Sequence, residues 1–257
     1  MVLICDQRGN IRLAALRASG IEWFDPATAG VLPAGDLVLK PTNLCCGTGL
    51  RRFRFTAETG RWAEGERSFG QPELLSELAA VATTGYHILQ PALYNHRAIR
   101  PLASRGLATV RLVTCRSLAG ECSPLMAAFR MPTGQLAVDN FAAGGIASSV
   151  SLASGALGAA TRKHAKGETF DCHPDSGARI TGVELPLWHG ALELCRRAHQ
   201  AFPAFAFIGW DVALTDAGPL LVEANLTWGV DVVQMTNRKP LGETPFAEAF
   251  LGHLDGA

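Results

Sequence analysis

Lysine is scarce in this chain of 257 residues, and the four lysines are Lys40, Lys163, Lys166 and Lys239. Arginine supplies most of the positive charge, and the 23 basic residues are balanced by 23 acidic residues. A chain without net charge lacks the basic surface that binds nucleic acids, so we expect no nucleic-acid partner. Charged residues make up 18% of the chain and hydrophobic residues 48%, which excludes a disordered protein and predicts a buried core.

The sequence also lacks the marks of an exported or membrane-spanning protein. Residues 1–8 have neither the basic start nor the apolar stretch of a secretory signal, so we expect a cytoplasmic protein. Residues 140–161 carry no charge, but glycines and serines interrupt them, and the segment predicts strands and turns rather than a membrane span. The seven cysteines include no CxxC pair, which favours free thiols over disulfides or a structural zinc site.

The pattern of strands and helices predicts two α+β lobes, residues 1–92 and 93–257. In the first lobe it predicts helices over residues 10–20 and 73–83, strands over residues 37–40, 51–55 and 86–89, and a hinge at Gln90-Pro91. In the second lobe it predicts a helix over residues 187–201 and strands over residues 107–115, 125–131, 135–139, 180–185, 208–214 and 220–225.

Three oxygen-bearing side chains lie in the last predicted hairpin. If that hairpin is symmetric about Ala217, Asp211 lies opposite Glu223, and Asn225 follows two residues further along the same face. The other face then collects hydrophobic residues for the core, namely Ile208, Trp210, Val212, Leu214, Leu220 and Val222.

The two facing carboxylates need a neutralising partner, because like charges across an antiparallel pair cost up to about 1 kcal/mol. Mg²⁺ would serve, since it prefers carboxylate and amide oxygens. The structural alternative is that Asp211 caps a strand end and Glu223 pairs with an arginine. Both interpretations stay open from these residues alone.

Lys40 ends an apolar strand and precedes Pro41 and a glycine-bearing loop, residues 42–49. A lysine in this position can direct its ammonium group at a phosphate while the loop backbone lies over a nucleotide. The chain contains no Walker motif, because the lysine precedes the glycines. The alternative is an exposed lysine at a strand end.

Arg111 lies on the predicted strand at residues 107–115 and shares a face with Thr109 and Val113. An arginine inside a strand needs an anion, which is either a carboxylate of the fold or a phosphate. Arg130 has a similar position on the next strand. Each is a candidate contact for phosphate or an acyl intermediate, and an internal ion pair is the alternative for each.

A series of short motifs runs through most of the chain, from about Asp6 to Gln234. They are, in order, Leu39-Lys40-Pro41, Gly47-Thr48-Gly49, Leu89-Gln90-Pro91, Thr109-Val110-Arg111, Asp139-Asn140 with Gly144-Gly145, Gly209-Trp210-Asp211 and Glu223-Ala224-Asn225. The series resembles the ATP-grasp superfamily, and within it the sugar-transfer-associated ATP-grasp group, which is related to α-L-glutamate ligases. The E-x-N pair with an upstream aspartate is its most specific part.

The resemblance implies an ATP-grasp fold, in which two α+β lobes clasp ATP, with the additional amino-terminal lobe of the family largely missing. The implied nucleotide contacts are Lys40 on phosphate, Gly47, Thr48 and Gly49 in a lid, and Gln90, Pro91, Ala92 and Leu93 beside the adenine. The implied Mg²⁺ ligands are Asp211, Glu223 and Asn225.

The activity implied by the resemblance is that of an ADP-forming ligase, in cell-surface polysaccharide or natural-product biosynthesis. ATP phosphorylates a small-molecule carboxylate, and an amine attacks the acyl phosphate to form a carbon–nitrogen bond. A second copy or a partner chain is one way to complete the acceptor site. Two alternatives stay open, a kinase that phosphorylates a small-molecule hydroxyl and a nucleotide-binding subunit without turnover.

His173 belongs to a His-Pro-Asp motif that recurs in the sugar-transfer-associated group. With Arg111 and Arg130 it completes the set of catalytic candidates, because an imidazole can bind a carboxylate substrate or carry a proton. The alternative is a loop histidine tied to backbone groups.

Overall fold

The computed structural model describes residues 2–5, 11–17, 20–24, 32–42, 48–82, 85–103, 106–134, 139–164 and 167–255. Before residue 32, and at residues 82 and 255, it describes the backbone alone. The chain divides into two compact units, Met1–Ala92 and Leu93–Ala257, called here the first and the second unit. No helix in these ranges is long and apolar enough to cross a membrane.

In the described residues, the first unit contains an antiparallel sheet of eight strands and the helix α1 (Gln71–Ala82). The strands are β1 (Val2–Cys5), β2 (Ile11–Arg17), β3 (Gly20–Phe24), β4 (Leu37–Pro41), β5 (Arg51–Thr56), β6 (Arg61–Glu64), β7 (Arg67–Phe69) and β8 (His87–Pro91). Their spatial order is β3-β2-β1-β8-β4-β5-β6-β7. Leu74 and Leu78 of α1 pack on one face of this sheet, against residues that include Leu37, Leu39 and Phe53.

The prediction of a helix over residues 10–20 is wrong, because residues Ile11–Arg17 form β2. This strand pairs on one side with β1 and on the other with β3. Two neighbouring strands outweigh the helix propensity of the alanines in this segment. Gln90 and Pro91 are likewise the last residues of β8 and pair with Val38 and Leu37, so they do not form a hinge loop.

The second unit is built on an antiparallel sheet of seven strands, in the order β13-β12-β11-β10-β9-β14-β15. The strands are β9 (Thr109–Arg116), β10 (Cys122–Met131), β11 (Ile146–Val150), β12 (Leu157–Arg162), β13 (Thr169–Phe170), β14 (Phe207–Thr215) and β15 (Gly218–Asn225). The helices are α2 (Trp188–Gln200), α3 (Val230–Asn237) and α4 (Pro245–Asp255), with short 3₁₀ turns at Arg97–Leu102, Phe141–Ala143 and Leu241–Glu243.

Two predicted strands of the second unit differ from the structure. Residues 180–185 form no named strand, although Glu184 makes an isolated bridge to Ala156. Of the predicted strand at 135–139, residues 135–138 lie outside the described residues, and Asp139 is not in a strand. The uncharged segment at 140–161 contains β11 and most of β12, so the prediction of strands and turns there is confirmed.

The two faces of the second sheet differ in chemistry. One face, called the core face, packs against α2 through side chains such as Val110, Leu112, Phe129 and Trp210. The other, called the polar face, carries Thr109, Arg111, Arg130, Asp211 and Glu223, as the strand register requires. At its far end the polar face is covered by a smaller hydrophobic cluster that includes Trp228 and Val232.

The β14–β15 hairpin forms the predicted Asp211–Glu223 pair, but its turn is not symmetric about Ala217. Thr215 pairs with Gly218, so the turn consists of Asp216 and Ala217 alone. A β-bulge at Val222 then shifts the register by one, and Asp211 lies opposite Glu223 as predicted.

The hydrophobic face predicted for this hairpin is therefore wrong on β15. Leu220 is 42% exposed, whereas Leu221, which pairs with Val212, packs against the core cluster of the second unit.

His199 of α2 lies in the core and has both ring nitrogens in hydrogen bonds. Nδ1 lies 2.6 Å from Thr114 Oγ1, and Nε2 lies 2.9 Å from the carbonyl oxygen of Phe205. Because a carbonyl only accepts, Nε2 carries the proton and Nδ1 accepts from the hydroxyl. Trp210 Nε1 donates to the same hydroxyl at 2.9 Å, so every polar atom of this cluster is satisfied with a neutral imidazole.

This neutral imidazole makes stability dependent on pH. Burial lowers the pKa of His199 below its ordinary value of 6.5, so the unfolded chain binds the proton first. We expect the free energy of unfolding to be highest above about pH 6.5 and to fall as the pH drops below it. Urea titrations from about pH 7.5 to 5.5 should show a steeper loss for the wild type than for His199→Gln. Parallel profiles would contradict a neutral buried His199.

Candidate active site

Asp211 is the centre of the polar face and is held by two arginines. Arg111 Nε lies 2.6 Å from Asp211 Oδ1, and Arg130 Nη2 lies 2.8 Å from Asp211 Oδ2. All three side chains are nearly buried, with exposed fractions of 8–13%. Burial alone would raise the pKa of Asp211, but Arg130 and Arg111 together hold it below its usual range. Asp211 is therefore an ionised carboxylate with both oxygens in ion pairs.

Arg111 and Arg130 are the partners that neutralise the charge of the facing carboxylates. The pair at Asp211 and Glu223 is neutralised from the neighbouring strands β9 and β10, on the side of Asp211. The anion that Arg111 and Arg130 contact is a carboxylate of the fold. These ion pairs join side chains about 80 to 100 residues apart in sequence, so the local sequence pattern could not predict them.

Arg111 also reaches beyond Asp211. Its Nη1 donates a hydrogen bond to the carbonyl oxygen of Trp228, just after β15. The Trp228 side chain lies over Gly209, where an added Cβ would stand 2.2 Å from Trp228 Cβ. Only glycine fits at position 209, and this close approach lets the segment after β15 lie against β14 beside Arg111.

Arg130 is contacted from a second side by Thr109 and Asp139. Its Nε donates to Thr109 Oγ1 at 3.2 Å and lies 3.6 Å from Asp139 Oδ2. Asp139 Oδ2 also accepts from the backbone N–H of Thr109 at 2.7 Å and from its hydroxyl. The Nη1 group of Arg130 makes no hydrogen bond to any residue that the structure describes. It is the part of the guanidinium left for an outside anion.

Two of the predicted Mg²⁺ ligands, Glu223 and Asn225, have no side-chain ion pair or hydrogen bond within the described residues. Glu223 is exposed and makes no ion pair or hydrogen bond within the described residues. The amide of Asn225 is buried at Nδ2 without a hydrogen-bond partner in the same part of the chain. Asn225 lies opposite Gly209 and shares its face with Glu223. The carboxylate of Glu223 and Oδ1 of Asn225 are oxygen donors of the kind that a hard cation prefers, whereas the buried Nδ2 is a hydrogen-bond donor and fits an acceptor such as a phosphate oxygen.

Asp211 fits such a cation less directly, because the arginines occupy both of its oxygens. In the described ranges, no three His, Cys, Asp or Glu side chains cluster as a metal would require. The donor set that fits Mg²⁺ is thus Glu223 and Asn225, with Asp211 adjoining them.

His173 is buried and tied to backbone at both ring nitrogens. Nε2 lies 3.1 Å from the carbonyl oxygen of Pro132, and Nδ1 accepts from the backbone N–H of Asp175 at 3.3 Å. The carboxylate of Asp175 accepts from the N–H of Gly134 at 2.6 Å. These bonds join the His-Pro-Asp loop to the turn after β10, which matches the structural alternative. The predicted catalytic role of His173 stays a prediction.

The first unit carries the predicted nucleotide residues on its own sheet. Lys40 pairs with Ile88 and Val38 pairs with Gln90, so Lys40 and Gln90 share the face that α1 does not cover. Lys40 is half-buried and makes no ion pair within the described residues. Lys40 therefore has no competing partner in these ranges.

The other predicted nucleotide residues lie at chain connections. Thr48 and Gly49 are exposed at a turn, and Gly49 has a φ of 74°, which favours glycine. Pro91 ends β8, and the N–H of Ala92 donates to the carbonyl oxygen of Asp36 at 2.8 Å. Leu93 is the first residue of the second unit. Gly47 lies outside the described residues.

The model of the sugar-transfer associated ATP-grasp family matches residues 27–246. The chain belongs to this family. The match spans both units and includes every residue predicted for the site. The two antiparallel sheets with few helices are those of an ATP-grasp fold. No curated protein matches the chain.

Solved structures similar to this ATP-grasp chain include three ligases or synthetases. D-alanyl-alanine synthetase A from Vibrio cholerae O1 biovar eltor str. N16961 has 12% identity and a TM-score of 0.44, over 87% of this chain and 52% of that one. D-alanine–D-alanine ligase from Bacillus anthracis has 13% identity and a TM-score of 0.35, over 86% and 53%. The ADP complex of PurK, N5-carboxyaminoimidazole ribonucleotide synthetase, has 14% identity and a TM-score of 0.37, over 79% of this chain and 36% of that one. The chain thus spans about a third to a half of these proteins.

Proposed function

We propose that this ATP-grasp chain is an ATP- and Mg²⁺-dependent ligase that activates a small-molecule carboxylate as an acyl phosphate. An amine then attacks the acyl phosphate, so the products are an amide, ADP and phosphate. The observation that carries the proposal is the polar face of the second sheet, where two arginines lie beside a carboxylate and an amide N–H group that have no partner in the described part of the chain.

The two arginines would stabilise the negative charge of the phosphate and carboxylate groups in this reaction. Phosphate and carboxylate repel each other as they approach, and fixed cationic N–H groups offset that charge. Asp211 holds both guanidinium groups in place before substrate arrives, and the free Nη1 of Arg130 is the contact that an anion would gain. Such pre-organisation avoids the cost of ordering long side chains during the reaction.

Glu223 and Asn225, with Asp211 beside them, would hold Mg²⁺, which when bound neutralises phosphate charge. In the first unit, Lys40 would bind phosphate, and Thr48 and Gly49, with Gly47, would lie over it. The segment from Gln90 to Leu93 would line the adenine. His173 would fix the loop beside the reacting groups or bind the carboxylate substrate.

The test is a screen for ADP release over amino acids, hydroxy acids and uronic acids, with hydroxylamine in place of the amine. A ligase of this type gives ADP and a hydroxamate, because hydroxylamine traps the acyl phosphate. A kinase gives ADP and a stable phosphoester without hydroxamate. A subunit without turnover gives thermal stabilisation by ATP but no ADP with any acid. Either of the last two results would overturn the proposal.

Replacing Lys40 by alanine tests the nucleotide half of the proposal. Hydrogen bonds to charged groups contribute about 1.5–3 kcal/mol, so we expect the Kd for ATP to rise by about 10- to 100-fold. Isothermal titration calorimetry measures this without turnover. Lys239→Ala is the matched control, since Lys239 is exposed and forms no ion pair within the described residues. Equal affinities of the two variants would argue against Lys40 as a phosphate ligand.

A further inference from the structure

Arg130 is shared between two buried carboxylates. Its Nη2 lies 2.8 Å from Asp211 Oδ2, and its Nε lies 3.6 Å from Asp139 Oδ2. With Arg111 on the far side of Asp211, the side chains alternate in charge in the order Asp139, Arg130, Asp211, Arg111. Burial raises the pKa of Asp139, although Arg130 and the hydrogen bonds from Thr109 oppose that rise. With Asp139 ionised, the two positive and two negative groups balance, so the cluster can be buried without an excess charge.

Thr109 ties the outer end of this cluster to the sheet. Its hydroxyl donates to Asp139 and accepts from Arg130, while its backbone N–H donates to the same oxygen of Asp139. Thr109 and Arg130 are register partners on β9 and β10, so the backbone sets their separation. Asp139 is 8% exposed and lies outside any strand, and these bonds fix where its carboxylate points.

We propose that Asp139 is a positioning residue for Arg130. It holds the Nε side of the guanidinium, through its charge and through the Thr109 hydroxyl. Arg130 therefore contacts Asp211 through Nη2 and keeps Nη1 free for a substrate anion. Without Asp139, Asp211 is the only carboxylate within ion-pair distance of the guanidinium among the described residues, while Glu223 acts on it at longer range, and the guanidinium is free to turn toward them. The effect on catalysis rests on the proposed function, whereas the effect on Arg130 does not.

The direct readout is the Nε–H signal of Arg130 in ¹H–¹⁵N NMR spectra of the protein without substrate, assigned by its loss in Arg130→Lys. In the wild type this N–H is hydrogen-bonded and nearly buried, so it should exchange slowly with water. We expect Asp139→Asn and Thr109→Val to shift the signal and speed its exchange by at least about tenfold. Thr109→Ser, which keeps the hydroxyl, should restore slow exchange.

Kinetics give the second readout. We expect Asp139→Asn to lower kcat for ADP formation by about tenfold and to leave the KM for ATP within about twofold, because Asp139 acts only through Arg130. Asp171→Asn is the matched control: Asp171 also accepts a hydroxyl hydrogen bond, from Thr181 at 2.6 Å, but its side chain is exposed and forms no ion pair with an arginine within the described residues. We expect Asp171→Asn to have the kcat and the KM for ATP of the wild type.

The outcomes separate the two proposals. An unchanged Arg130 signal in both Asp139→Asn and Thr109→Val would overturn the positioning role, whatever the activity. A perturbed signal in a wild type that releases no ADP would uphold the positioning role and overturn the ligase. If Asp139→Asn does not fold, as its amide spectrum would show, Thr109→Val alone decides.

Discussion

Mg²⁺-dependent ATP turnover is expected to fall by at least about 100-fold when Glu223 is replaced by glutamine, while the fold stays intact. Even outer partners of metal ligands are worth about 10- to 100-fold in affinity or activity, and Glu223 is proposed as a direct ligand. The fold should tolerate the change, because the Glu223 side chain is exposed and unpaired within the described residues. ADP release measured against Mg²⁺ concentration gives the loss, and circular dichroism gives the fold.

The control for this change is Glu121→Gln, which removes the same charge from an exposed turn between β9 and β10. It should behave as the wild type. Normal turnover in Glu223→Gln would mean that this carboxylate holds no metal. Restoration of turnover by higher Mg²⁺ would support the proposal, because a weakened ligand set raises the concentration of metal required.

Replacing Asp211 by alanine is expected to lower the free energy of unfolding by about 3–5 kcal/mol. The change leaves Arg111 without a carboxylate and Arg130 with Asp139 alone, and all of these side chains are nearly buried. For a unit of this size the melting temperature should drop by roughly 10 °C. Urea denaturation and thermal melting in the absence of nucleotide measure both quantities.

Asp216→Ala provides a matched control on the same hairpin. Asp216 also pairs with two arginines, Arg97 at 3.2 Å and Arg100 at 2.8 Å, but these side chains are exposed. Exposed ion pairs contribute about 0–1 kcal/mol, so this variant should lose far less stability. Similar losses for Asp211→Ala and Asp216→Ala would contradict the view that burial makes the Asp211 pairs essential.

The main elements of both sheets could be predicted because their signals are local. Apolar runs ended by turns marked β4 and β14, and the periodic positions of Leu192, Cys195 and His199 marked α2. The error at β2 has a physical reason. Its alanines favour a helix in isolation, but strands on both sides supply hydrogen bonds that local propensity does not reveal.

The candidate site could be predicted only in its residue types. Alternation along β9 placed Thr109 and Arg111 on one face, and the motifs marked Asp211, Glu223 and Asn225. The partners of Asp211 depend on the order of strands β10, β9, β14 and β15, which pairs residues far apart in sequence. The carbonyl oxygen of Trp228 and the bonds of Asp139 had no signal beyond the presence of the Asp139-Asn140 motif.

The bulge at Val222 determines how the hairpin tolerates changes in length. With a two-residue turn and a regular ladder, Asp211 would pair with Val222. The bulge adds one residue to β15, so the register beyond it places Glu223 opposite Asp211. A chain lacking Val222 would continue as a regular ladder and keep Glu223 and Asn225 on the polar face. A chain lacking Ala224 would send Asn225 into the core instead. Related chains are therefore free to lose one residue before the glutamate, but none between it and the asparagine.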